Sequence, residues 1–214
     1  VEGLIERMPG ALGGGAAGAV LDKAGRADAL AIGPGLGTSG STIEVIREIL
    51  QAVEVPVIID ADALTALQGH TGILNTMRAP KVLTPHPGEL GRLLDMEPAE
   101  VDARRLELAG KYAVEWDAVL VLKGAPTVIG CPDGSVYINT TGNSAMATGG
   151  SGDVLTGIIA GLTAQGISLQ EAALAGVYLH GLAGDLASGG TIGLAAGEIS
   201  GYLPQVRRIV EQGE

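Results

Sequence analysis

The 214-residue sequence contains no Phe, and aromatic residues make up only 2% of it, although 46% of its residues are hydrophobic. A core without many aromatics has to be built from Ala, Val, Leu and Ile packed closely together. The 35 Gly residues suit tight turns and close approach of backbone segments. The single Cys, Cys131, excludes an internal disulfide. We expect one domain over residues 1–214 with a sizeable core.

Positive charge is also scarce, because only 13 Lys and Arg stand against 24 Asp and Glu, for a net charge of −11. Nucleic acid and anionic membranes would repel such a chain, so we expect neither as a partner. The opening segment VEGLIERMPG lacks the basic-then-apolar layout of a signal peptide, which favours a cytoplasmic protein. The longest uncharged run, 154–170, is interrupted by glycines and is not a membrane span. An anionic ligand would need a local cradle of donors.

Short aliphatic runs alternate with helical patterns along the first part of the chain. These runs are ALAI at 29–32, VPVII at 55–59, KVL at 81–83 and AVLVL at 118–122. Such alternation predicts βαβ units, in which a mostly parallel sheet lies between helices on both faces. TVIG at 127–130 and VYIN at 136–139, joined by a turn at 132–134, predict a hairpin late in the sheet.

Two capping boxes indicate where helices begin. Ser41 with Glu44 predicts a helix over 41–54, and Ser168 with Glu171 predicts one that ends at residue 188. Further helices are predicted over 152–164, 194–202 and 204–211.

The first glycine-rich segment, GLGTSG at 35–40, has the G-x-G-x-x-G spacing of a dinucleotide-binding turn. Asp60 follows it by about 20 residues, as that fingerprint requires. A chain with this much Gly produces the pattern easily by chance, and Gly33-Pro34-Gly35 makes a stiff turn ahead of it. A plain strand-to-helix turn explains the segment as well, so a Rossmann dehydrogenase is only an alternative here.

The second glycine-rich segment, GNSAMATGGSGD at 142–153, leads directly into the apolar run VLTGIIAGL. Glycines before a helix let backbone N–H groups point at an anion, and the helix dipole adds about half a positive charge. Asp153 is explained as an acidic residue in the first turn of a helix. A carboxylate beside a phosphate also fits a base that orients and deprotonates a hydroxyl during phosphoryl transfer. We interpret the segment as a phosphate site with Asp153 as its catalytic residue.

Residues 142–166, GNSAMATGGSGDVLTGIIAGLTAQG, resemble the GNPGMATGGTGDVLTG segment of the ADP/ATP-dependent NAD(P)H-hydrate dehydratases, members of the ribokinase-like superfamily. Five more segments resemble that family in the same order: DALAIGPGLG at 28–37, DADAL at 60–64, LTPHPGEL at 83–90, VLKGAPTVIG at 121–130 and YLHGLAGDLA at 178–187. The resemblance implies a ribokinase-like three-layer αβα sandwich with a mostly parallel sheet. Ser144, Ala145 and Ser151 depart from the family pattern. The family usually has a further N-terminal segment, so we expect an N-terminally truncated nucleotide-binding catalytic domain.

The resemblance also implies roles for individual positions. The nucleotide would be bound by Lys123, Gly124, Ala125, Pro126, Thr127, Asn143, Gly150, Ser151 and Gly152. Gly35 and His86 would contact hydrated NADH or NADPH, and Asp153 would face the hydroxyl of that substrate. ADP or ATP would be the co-substrate, together with Mg²⁺, whose ligands are not identified. Asp60 and Asp62 could help to place the ion, although Asp62 equally well caps a helix that begins at Ala63.

The implied reaction is the dehydration of hydrated NADH or NADPH after phosphorylation of its hydroxyl. Hydroxide is a poor leaving group, since water has a pKa of about 15.7, whereas a phosphate ester has a second pKa of about 6. The alternatives are a ribokinase-like kinase for a small molecule such as a vitamin precursor, and an inactive nucleotide-binding module. His70, His180 and Cys131 lack metal-ligand spacing and are interpreted as structural. The choice between ADP and ATP, and a homo-oligomer, are left open.

Overall fold

The computed structural model describes residues 13, 15–189 and 193–212, and within them the chain forms six strands and ten α-helices. The strands are β1 Leu30–Ile32, β2 Val57–Ile59, β3 Lys81–Leu83, β4 Val119–Leu122, β5 Thr127–Gly130 and β6 Val136–Asn139. The helices are α1 Ala16–Ala24, α2 Gly40–Ala52, α3 Ala61–Ala66, α4 Gly72–Thr76, α5 Pro87–Leu94, α6 Pro98–Ala103, α7 Arg105–Glu115, α8 Ser151–Thr163, α9 Leu169–Ser188 and α10 Ala196–Gln212. A short 3-10 helix, Ser144–Met146, precedes α8.

The six strands form one sheet in the order β1-β2-β3-β4-β5-β6. Strands β1 to β4 are parallel, and β5 and β6 add an antiparallel hairpin. Ile32 pairs with Ile59, and Ile59 pairs with Leu83, so the carboxyl ends of these strands are level at one edge. The mostly parallel sheet and the late hairpin are confirmed. The strand order differs from the 3-2-1-4-5-6 order of a Rossmann dehydrogenase, which counts against that alternative.

Side chains on the central strands alternate between two hydrophobic layers, as the pleat of a strand requires. Val57 and Ile59 pack into the layer formed by α1 to α7, whereas Ile58 and Val82 pack into the layer formed by α8 and α9. The sheet is therefore covered on both faces, which confirms the three-layer αβα arrangement. A third cluster joins α9 to α10.

The start of α2 differs from the one that the sequence predicts. Ser39 is the N-cap, because its backbone is extended and its Oγ accepts a hydrogen bond from the Thr42 N–H at 3.3 Å. Ser41 lies inside the first turn, so the predicted capping box of Ser41 and Glu44 is wrong. An N-cap oxygen reaches the N–H groups two or three residues onward, and Thr42 lies three residues after Ser39.

The starts of α8 and α9 lie close to the predicted ones. Helix α8 begins at Ser151, one residue before the prediction, and α9 is capped by Ser168, whose Oγ accepts from the Glu171 N–H at 3.3 Å. No helix in the part of the chain that the structure describes is both long and apolar enough to cross a membrane.

The last helix, α10, is continuous and contains Pro204. The prediction of two helices, over 194–202 and 204–211, is therefore wrong. Proline removes one backbone hydrogen bond from a helix interior. Ile199 and Val206, on either side of Pro204, are both buried in the cluster with α9, and this packing holds the two halves on one axis.

We expect Ser39→Ala to lower the free energy of unfolding by about 1 kcal/mol, because it removes the oxygen that caps α2. Ser41→Ala is the matched control and should change it by less than about 0.5 kcal/mol, as an ordinary surface substitution does. Urea unfolding followed by circular dichroism measures both. A larger loss for Ser41→Ala would show that the cap is assigned to the wrong serine.

Candidate active site

The sequence-predicted site residues follow the parallel strands at one edge of the sheet. Loop 33–39 follows β1, Asp60 follows β2, His86 comes three residues after β3, and Lys123 follows β4. Because the carboxyl ends of parallel strands meet at the same edge, the chain brings these residues together there. Open α/β sheets bind their ligands at this edge.

A buried ion pair lies at the centre of this edge. Asp60 is 1% exposed, and its Oδ1 accepts a hydrogen bond from Lys123 Nζ at 2.8 Å. Its Oδ2 accepts from Thr156 Oγ1 of α8 at 2.9 Å. Each carboxylate oxygen thus has a donor, as a buried charge requires. One side chain connects β2, β4 and α8.

Asp62 does not cap a helix, so that interpretation is wrong. It lies within the first turn of α3, and its Oδ2 accepts from the Gly37 N–H at 2.8 Å, which fixes loop 33–39 beside α3. Asp60 occupies the N-cap position instead, but its side chain makes no capping bond because both of its oxygens are used by Lys123 and α8.

His86 is the N-cap of α5, and Pro87 occupies the first helical position. Its Nδ1 accepts from the N–H groups of Gly88 at 3.0 Å and Glu89 at 3.3 Å, while Glu89 Oε2 accepts from the His86 N–H at 2.7 Å. Burial lowers the pKa of His86 and so favours the neutral ring. The negative charge of Glu89 opposes this shift. Since Nδ1 is an acceptor, the neutral ring carries its hydrogen on Nε2 and can donate it to a ligand.

Glu89 connects the start of α5 to the ion pair. It is 8% exposed, and its Oε2 lies 3.6 Å from Lys123 Nζ, so the ammonium stands between Glu89 and Asp60. The sequence analysis missed Glu89. Its position three residues after His86 matches the spacing of a capping box and was the available signal.

Helix α8 brings the second glycine segment to the same place. Its N-cap is Gly150, whose φ of +88° favours glycine. A Cβ on Gly152 would lie 3.1 Å from Lys123 Nζ, so the ammonium packs against the first turn of the helix. An anion here would meet the N–H groups of α8, its dipole and Lys123 together. Thr156, which lies four residues after Gly152 and hence on the same helix face, is not among the site residues predicted from the sequence.

Asp153 is exposed in the first turn of α8. It differs in this respect from Asp60, which is buried and fully hydrogen-bonded. Acidic residues favour the first turn of a helix, which accounts for the position. The exposure leaves the Asp153 carboxylate accessible to a ligand at the strand-end edge.

Asn143 and Ser151 contact α9 rather than the ion pair. Asn143 Nδ2 donates to Asp185 at 2.8 Å, and its Oδ1 accepts from the Ala145 N–H at 2.9 Å. Ser151 Oγ lies 3.3 Å from Nε2 of His180, and burial lowers the pKa of His180 to about 4. These contacts hold segment 142–153 on α9.

Residues Lys123–Thr127 form a tight turn between β4 and β5. Thr127 Oγ1 donates to the Gly124 carbonyl at 3.0 Å and accepts from the Gly124 N–H at 3.3 Å. The Ala125–Pro126 peptide is cis. The two hydrogen bonds of Thr127 close the turn, which begins at the lysine that pairs with Asp60.

A family model and known relatives match most of this chain. A family model described as NAD(P)H-hydrate dehydratase matches residues 6–205. The bifunctional NAD(P)H-hydrate repair enzyme Nnr of Moorella thermoacetica is 52% identical over 211 residues, which cover 98% of this chain and 40% of that protein. The ADP-dependent (S)-NAD(P)H-hydrate dehydratase of Bacillus subtilis is 40% identical over 193 residues, covering 89% of this chain and 67% of that protein. The chain thus spans about two fifths of the length of its bifunctional relative.

Solved structures agree with this match. The ADP/ATP-dependent NAD(P)H-hydrate dehydratase of Bacillus subtilis, co-crystallised with ATP/Mg²⁺ and soaked with CoA, superposes with a TM-score of 0.74 at 37% identity. That alignment covers 87% of this chain and 70% of the solved one. A hydroxyethylthiazole kinase from Pyrococcus horikoshii superposes with a TM-score of 0.69 over 86% of this chain and 74% of its own, but at 18% identity it shares the fold alone.

We expect Asp60→Asn to lower the free energy of unfolding by about 2 kcal/mol. It leaves the largely buried Lys123 ammonium without its carboxylate, although an amide still hydrogen-bonds. Asp62→Asn is the matched control and should cost less than about 1 kcal/mol, since the amide oxygen still accepts from Gly37. Urea denaturation measures both variants. Equal losses would mean that the ion pair is not the feature on which this edge depends.

Proposed function

This chain belongs to the NAD(P)H-hydrate dehydratase family, and we propose on that premise that it dehydrates hydrated NADH or NADPH with ADP or ATP as co-substrate. The observation that carries the proposal is the position of the Lys123 ammonium against Gly152, at the start of α8 and at the edge of the sheet where ligands bind. A transferring phosphate would find a cation and a helix N-terminus there.

The nucleotide would lie along Lys123–Thr127, with its phosphates at Gly150–Gly152. The family resemblance covers these residues, and Gly152 of the second segment lies against the Lys123 ammonium of the first. Asn143 would support this site through its bonds to α9 rather than through the ion pair. Because the chain as a whole carries a charge of −11, a nucleotide needs the local field of Lys123 and α8.

The hydrated dinucleotide would bind on the other side, at Gly35 and His86, with Asp153 facing its hydroxyl. As that oxygen forms a bond to the terminal phosphorus of ADP, the bond from phosphorus to the bridging oxygen breaks and AMP leaves. Asp153 accepts the hydroxyl proton. The ring nitrogen then supplies the electron pair that expels phosphate, and loss of a proton from the carbon beside the resulting C=N⁺ bond restores the reduced nicotinamide. Nε2 of His86, which lies 3.6 Å from Glu89 Oε1, would donate a hydrogen bond to the substrate.

The charges at this edge fit a requirement for Mg²⁺. Lys123 stands between the carboxylates of Asp60 and Glu89, so the three groups leave one negative charge. Among the described residues, no group of three or more His, Cys, Asp and Glu side chains could hold a metal alone. Mg²⁺ commonly keeps several waters and binds phosphates together with one or two carboxylates. We therefore expect the ion to arrive with the nucleotide and to neutralise its phosphates.

The direct test is incubation of the purified protein with hydrated NADH, ADP and Mg²⁺. We expect NADH absorbance to return while inorganic phosphate and AMP appear in equal amounts. A small-molecule kinase would instead leave the phosphate on its product, and an inactive nucleotide-binding module would bind ADP without turnover.

We expect Asp153→Asn to abolish dehydration, with a loss in kcat of at least about 100-fold, while ADP affinity stays the same or increases. Asn keeps the size of the side chain but cannot take up the hydroxyl proton. Turnover of hydrated NADH and calorimetric titration with ADP measure the two effects. Near-wild-type turnover would show that Asp153 is not the base and that its position reflects only the preference of acidic residues for the first turn of a helix.

We expect His86→Asn to weaken binding of hydrated NADH by about tenfold and to leave ADP binding nearly unchanged. Asn is chosen because its oxygen can still cap α5, whereas Ala would also remove the cap at a cost of about 1 kcal/mol. Titration with each ligand gives the comparison. Equal losses for the two ligands would contradict the assignment of His86 to the substrate side.

A further inference from the structure

Arg105, the first residue of α7, donates hydrogen bonds to the backbone of the turn Lys123–Thr127 and to the end of β4. Its Nη1 donates to the Pro126 carbonyl at 2.8 Å and to the Leu122 carbonyl at 3.5 Å, and its Nη2 donates to the Lys123 carbonyl at 3.3 Å. The acceptors lie on both arms of the turn. One planar guanidinium, with donors in a fixed fork, therefore bridges the turn.

The side chain that makes this bridge is itself fixed. It is 12% exposed, and its Nε donates to Asp102 Oδ1 at 2.7 Å, so each nitrogen of the guanidinium has a protein acceptor. Arg104, the preceding residue, differs in its exposure and in its partners. It is 42% exposed and pairs only with the exposed side chains of Glu100 and Glu107.

Gly124 is the part of the turn against which the guanidinium lies. A Cβ at this position would collide with Nη2 of Arg105, and the φ of +150° is one that L side chains rarely adopt. Glycine at 124 thus makes room for a side chain of the protein, and Arg105 fills that room. The turn and the arginine fit each other.

We propose that Arg105 is a positioning residue for the nucleotide: it holds the turn Lys123–Thr127 in the shape that binds ADP or ATP. The inference rests on the proposed function, because it takes this turn as the nucleotide site. Arg105 acts through the backbone and does not touch the substrate. By holding the Lys123 carbonyl, it also fixes the backbone from which the ammonium reaches Asp60.

The test compares Arg105→Ala, Arg105→Lys and the matched control Arg104→Ala by calorimetric titration with ADP. We expect Arg105→Ala to raise the Kd for ADP about tenfold or more, and Arg104→Ala to change it by less than about twofold. Arg105→Lys should fall between them, near threefold, since a single ammonium does not bridge both arms. Circular dichroism establishes that each variant is folded. Should Arg105→Ala not fold, the Arg105→Lys titration decides.

Kinetics separate positioning from general damage. Positioning of the nucleotide raises the KM for ADP by the same factor as the Kd and leaves kcat at saturating ADP within about threefold. The inference is overturned if folded Arg105 variants bind ADP as the wild type does, if Arg104→Ala weakens binding equally, or if only kcat falls. Failure of the wild-type protein to bind ADP would instead refute the proposed function itself.

Discussion

The ion pair between Asp60 and Lys123 is the interaction on which the architecture of the site depends. It joins the ends of β2 and β4, and through Thr156 and Glu89 it extends to α8 and α5. A buried ion pair contributes little net stability, because desolvation offsets most of the attraction, but the loss of one partner leaves an uncompensated charge. The pair therefore fixes geometry more than it adds stability. It holds a cation beside the first turn of α8 before any ligand arrives, and such preorganised charge is what phosphoryl transfer requires.

Two glycines of the family motifs leave space for positively charged side chains of the protein itself. Gly152 leaves space for the ammonium of Lys123, and Gly124 leaves space for the guanidinium of Arg105. In each case the missing Cβ lets a charged group lie against the backbone of a segment proposed to bind the nucleotide. Glycine-rich loops are usually explained by close approach of a ligand. In this protein the glycines also allow charged side chains of the protein itself to pack against these loops.

The sequence predicts the fold well and the site only in part. The difference follows from how far apart the contacting residues lie along the sequence. Strand β3 has the bounds that its aliphatic run predicts, and the glycine segment before α8 lies where the helix begins, because both signals are local. The cap of α2 was missed because two serines two residues apart offer the same signal. Thr156 and Arg105 lie 96 and 18 residues from their partners Asp60 and Lys123, and no local pattern reports such contacts. The single domain over residues 1–214 and the cytoplasmic location stay predictions, and the question of a homo-oligomer stays open.

The long separations within the ion-pair network also determine when the site can form during synthesis. Lys123 and Thr156 follow Asp60 by 63 and 96 residues, so a ribosome delivers the anion first, its cation later and the hydroxyl last. At about 5–20 residues per second, Asp60 waits roughly 5 to 20 s for Thr156. Until residue 156 has been made, the Asp60 carboxylate and the end of β2 have to stay hydrated. The centre of the site thus closes only after the ribosome has made α8.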